Sequence, residues 1–176
     1  MEYVRDHAMY ASVFGMFSFM WFGWAQEGPR AKWRIYIGIA SGIALLVCLT
    51  GVYLSVTNWD APSTLNEAAA FREYLIIFYI EIVVSGAGAI ALIRLKRQAY
   101  VAPWIAFIVG IHFISLKSVF DDSSLWLLAA LMMSISIVAV FVAPKLRVAN
   151  SAITGIGAGT VLFGYALLGL IRFIAV

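Results

Sequence analysis

Glu81 is a carboxylate inside an apolar run, Tyr74–Ile93, with seven apolar or aromatic residues before it. A charged group near the centre of a membrane helix costs about 2.5 to 3.5 kcal/mol on insertion scales. Glu81 must therefore be protonated, paired or turned toward a wet cavity. Burial and a neighbouring cation push a carboxyl's proton affinity in opposite directions, so its surroundings decide its chemistry. His112 sits in the next apolar run, Val101–Phe120, with Lys117 five residues further on. A carboxyl and an imidazole at one depth can hold and pass a proton. A lysine one turn before Asp121 can either bend toward that pair or extend its stem outward to the aspartate. Tyr10, Tyr53, Tyr79 and Tyr165 fall in the same half of the expected bundle and are candidates to line a polar pocket.

Other chemistries lack their residues. The chain has two histidines, His7 and His112, and one cysteine, Cys48, so no three-histidine or thiolate metal site and no CxxC pair can be built. Bis-histidine haem ligation would need His7, several turns away in depth. There is no G-x-S-x-G elbow, no H-E-x-x-H and no phosphate-binding glycine loop. No cofactor is expected.

The elements that must position Glu81 and His112 follow from composition. Of 176 residues 64% are hydrophobic and 12% charged, with mean hydropathy +0.96. Soluble domains carry about 25% charged residues, so an ordinary soluble fold is excluded. Six apolar stretches of membrane-spanning length, 8–25, 35–56, 74–93, 101–120, 125–143 and 151–171, predict an all-α polytopic membrane protein. Residues 1–176 then form a single six-helix domain with no room for a soluble catalytic or nucleic-acid-binding unit. Glu2, Arg5 and Asp6 precede the first stretch, and no small-x-small site closes it, so it does not read as a cleaved signal.

The charge of +3 reads as topology. Arg30, Lys32, Arg34, Arg94, Lys96, Arg97, Lys145 and Arg147 all fall in connections at one end of the bundle, with Glu27 the lone acid there. Asp6, Asp60, Glu67, Glu73, Asp121 and Asp122 outnumber the bases at the other. Short basic loops stay in the cytoplasm. The expectation is a bacterial inner-membrane protein with both termini outside and no nucleic-acid partner. On that topology Glu81 lies nine residues below Arg72, and His112 eight below Phe120. At 1.5 Å per residue, these are depths of about 13 and 12 Å. Adjacent helices joined by a short turn would then bring the two side chains together.

Small residues suggest where helices approach closely. Gly38-x-x-x-Gly42 and Gly155-x-x-x-Gly159 are candidate homodimer faces, and their flanking strings are alike enough to suggest an internal repeat. Ser85–Ala89 either pack a neighbour or leave room for a ligand. Thr64 and Glu67 have capping-box spacing before the alanines 68–70, while Pro144 is expected to end the fifth helix. The function that follows is binding or transport of a small, partly apolar or cationic molecule, with Glu81 and His112 as candidates for proton coupling. Two alternatives stay open. One is an accessory protein with Glu81 as a structural anchor. The other is a membrane enzyme acting on a lipid or isoprenoid, although an enzymatic role is the less favoured.

Overall fold

The computed structural model describes residues 3–175. It is an all-α bundle: α1 (Val4–Ala25), α2 (Trp33–Thr57), α3 (Ala68–Arg94), α4 (Val101–Phe120), α5 (Ser124–Leu146) and α6 (Asn150–Ala175). Five of these, α2 to α6, are long and apolar enough to cross a membrane.

The remaining helix is α1. It packs along both α2 and α6, and its buried face mixes Ala8, Ala11 and Ala25 with Phe14, Trp21 and Phe22. Close approach rests on glycine. A Cβ on Gly155 would stand 2.5 Å from the Trp21 carbonyl oxygen, and one on Gly51 would stand 2.3 Å from the Ser12 nitrogen. Ser18, fully buried, donates to the Gly159 carbonyl at 2.8 Å across the α1–α6 seam. The Gly155/Gly159 face is therefore spent inside the chain, which corrects its reading as a dimer face. Gly38 and Gly42 remain exposed on α2.

On the other flank α4 packs on α5 and α3 packs on α4. No described residue of α3 is fully buried. Three polar contacts nevertheless tie it to α4 along its length. Ser118 donates to Glu73 at 3.1 Å, Glu81 meets His112, and Trp104 Nε1 donates to the Ser85 carbonyl at 3.3 Å. The Trp104 indole lies so close over Gly88 that any side chain there would collide with it. The small residues 85–89 thus receive a neighbour's ring.

Two local expectations are corrected. Thr64 does not cap α3, because its hydroxyl and amide both bind Asp6; α3 starts at Ala68, with Glu67 before it making no side-chain cap. Pro144 lies within α5, which continues to Leu146 and ends where Arg147 turns left-handed at φ 56°. A proline near a helix C-terminus forfeits one backbone hydrogen bond, and the last turn tolerates that.

Candidate functional site

Between α1 on one side and α3 and α4 on the other lies a cavity of about 380 Å³. It exists because α1 and α3 make no extensive contact, each being held by other helices. Along α1 its wall runs from Asp6 to Trp21, about 22 Å at 1.5 Å per residue. Val13 and Phe17 of α1 and Phe78 and Ile82 of α3 line it while being exposed on the bundle's flank. The opening is therefore lateral, between two apolar helices.

Glu81 and His112 are both in this wall. Glu81 Oε2 stands 3.2 Å from His112 Nδ1, with side-chain exposures of 17% and 16%. The distance is that of an ion pair, but the contact is not aligned as a hydrogen bond, since Nδ1 has no hydrogen-bond partner. Small rotations would convert it into one, with the proton on either group. The depth arithmetic placed these side chains at one level, and their helices do turn the two toward each other.

The rest of the wall mixes aliphatic with aromatic side chains. Six rings follow one another in contact: Phe113 and Phe14 (centroids 5.8 Å apart), Phe14 and Tyr10 (4.9 Å), Tyr10 and Phe120 (5.7 Å), Phe120 and Tyr74 (6.3 Å), and Tyr74 and Phe78 (6.1 Å). His112 lies 4.4 Å from Phe113, so the chain of rings ends at the carboxyl–imidazole pair. Tyr10 is 6% exposed and its hydroxyl has no hydrogen-bond partner.

The other tyrosines stand elsewhere. Tyr53 and Tyr79 are exposed on the outward faces of α2 and α3. Tyr165 packs against Phe14 but gives its hydroxyl to the Ser124 carbonyl. Lys117 reaches outward, Nζ 3.7 Å from Asp121 Oδ1. Only Tyr10 of the four tyrosines singled out from the sequence lines the cavity.

Sequence reasoning passed over the residues that close the cavity's end. Asp6 is 1% exposed and accepts three hydrogen bonds: from the Ser63 hydroxyl (2.6 Å), the Thr64 amide (2.9 Å) and the Thr64 hydroxyl (2.6 Å). These bonds draw the α2–α3 connection over the end of α1 and set Leu65 into the cavity wall. Beside them Asp122, also buried, takes Arg172 at 2.6 Å and the Ser124 amide at 3.0 Å. Nothing in their spacing marked these acids, because the partners that bury them lie far along the chain.

Among the described residues no group of His, Cys, Asp and Glu is arranged to hold a metal ion. Comparison of the chain with protein-family models, curated proteins and solved structures gives no match. The functional reading rests on the chain's own residues.

Proposed function

We propose that the chain spans the membrane six times and admits a small, partly apolar or cationic molecule from the bilayer into the cavity beside α1. It binds or moves that molecule against a proton held by Glu81 and His112. The observation that carries this reading is a laterally open cavity whose wall contains that pair. On this reading α1, packed along α2 and α6, is the least apolar of the six spans. Its 22 residues are long enough to cross the hydrocarbon.

In this scheme Glu81 gives up its proton when the ligand arrives, and His112, at 3.2 Å, receives or relays it. Tyr10 offers the ligand an unused hydroxyl. Lys117, held toward Asp121, influences the site only through its field. Chemistry on a lipid-like substrate is a second reading favoured by the lateral opening. There the same pair would act as acid and base, and slow turnover of an added amphiphile would mark it.

Infrared difference spectroscopy in lipid, comparing wild type with Glu81→Gln, tests the proton step. The expected result is a carboxyl band that vanishes in the variant and titrates with bulk pH in the wild type. A Glu81 band indifferent to bulk pH would leave the residue as a sealed link between α3 and α4 and remove proton coupling.

A further inference from the structure

Building on that reading, we propose that the cavity selects hydrophobic organic cations, with Glu81 as counter-ion and the chain of rings as the surface over which the charge is spread. Neutral amphiphiles and anions are discriminated against.

Three observations converge on this ligand class. The first is charge. The ionisable groups in the wall are Asp6, Glu81, His112 and the phenols of Tyr10 and Tyr74; no lysine or arginine lines it. Of the cations at that end of the bundle, Arg72 is exposed near the start of α3 and does not line the cavity, and three more are engaged elsewhere. Arg172 is held by Asp122, Lys117 leans to Asp121, and Arg5 stacks over Trp59 at 4.0 Å and donates to its carbonyl. An anion entering the cavity would face Asp6 and Glu81 with no lysine or arginine to hold it. A neutral guest would give Glu81 no charge for which to release its proton.

The second observation is the six-ring series. Aromatic faces attract cations through the ring quadrupole, and the attraction grows as water is removed. Rings donated by three helices, α1, α3 and α4, surround a guest rather than presenting one isolated contact. That suits a delocalised or shielded positive charge better than a compact, strongly hydrated ammonium. A hydrated cation would need several polar oxygens to replace its water, and this wall is overwhelmingly apolar.

The third is size and access. A volume of about 380 Å³ lies near the lower end of the range for small-molecule pockets, about 300 to 1,000 Å³. It suits a guest of a few rings. The mouth lies between Val13, Phe17, Phe78 and Ile82, so such a guest arrives from the hydrocarbon, where hydrophobic ions partition, and meets Glu81 at mid-depth.

Tetraphenylphosphonium and tetraphenylborate share a shape and carry opposite charges, which makes them the probes of choice. Binding of each to the full chain in neutral detergent is measured by equilibrium dialysis, with protein-free micelles subtracted. Wild type is expected to bind the phosphonium at least tenfold more tightly than the borate. Glu81→Gln should erase that preference by weakening the phosphonium alone, and Phe78→Leu should weaken the phosphonium severalfold more than the borate. Equal or tighter borate binding, with Val13→Trp at the mouth abolishing both, would overturn cation selection and keep the cavity as an amphiphile site. Binding of neither ion, or binding indifferent to Val13→Trp, would overturn the cavity reading itself. Should Glu81→Gln fail to fold, the wild-type comparison of the two ions still decides.

Discussion

Asp122 shows how a single buried carboxylate can be made to favour its charged form. Burial alone would raise its proton affinity, but the hydrogen bonds from Arg172 and Ser124 outweigh that and hold its carboxyl below the ordinary value of 3.8. The unfolded chain then binds more protons than the folded one on the acid side, so stability rises with pH there and is lost as pH drops. The contribution of Asp122 is complete above about pH 4 and is lost as pH drops through its folded value. Asp122→Asn should therefore lower the thermal midpoint in detergent at pH 7, where it strands a partly buried Arg172. At pH 3 and below, the gap from wild type should shrink progressively. A gap of constant size would mean that the Arg172 contact contributes nothing that depends on charge. Neither this pairing nor that of Asp6 with Ser63 and Thr64 can be read from spacing, because the partners lie 50 or more positions apart. Glu81 and His112 were legible by contrast, since two adjacent helices joined by a short turn fix depth by arithmetic.

Apolarity along the elements does not follow burial. None of the described residues of α3 is buried, and α3 is among the helices apolar enough to span; α1 carries many buried residues and falls short of that threshold. Hydropathy marked the long apolar helices, yet it gave no indication of how each one packs. The azimuth of each helix was equally hidden, and the glycines show the consequence. Two G-x-x-x-G strings look alike in sequence, but Gly155 is pressed on the α1 backbone while Gly42 has nothing within 4 Å. Gly155→Ala must push α6 off α1 and should destabilise the bundle by about 1 to 3 kcal/mol, the usual cost of overpacking. Gly42→Ala adds a better helix former in open space and should gain up to roughly 1 kcal/mol. Thermal or denaturant unfolding in one detergent compares them directly. A loss at Gly42 as large as that at Gly155 would show that α2 is covered by a partner there. The seam between α1 and α6 is thus close-packed, and the looser α1–α3 side is where the molecule keeps its empty space.

The described bundle is electrically polarised from one end to the other. The carbonyl of His7 lies against Gly169, so the start of α1 and the end of α6 sit side by side. The carboxylates of Asp6 and Asp122 gather at this end, along with the exposed Asp60. The opposite end carries the basic connections, where Arg30 donates to the Leu146 carbonyl and Gln26 to that of Arg34. Under the positive-inside rule the basic end stays in the cytoplasm, so the Asp6 closure would face outward and Glu81 would lie on the outer side of the midplane. Single cysteines test this cleanly, because the native Cys48 is buried and adds little background. Asp60→Cys should react with a membrane-impermeant maleimide in intact bacteria, whereas Gln98→Cys should react only after permeabilisation; both positions are exposed. The reverse pattern would turn the molecule over. A proton leaving Glu81 by the shorter route would then enter the cytoplasm, and the direction in which a cation could be exchanged for it would reverse as well.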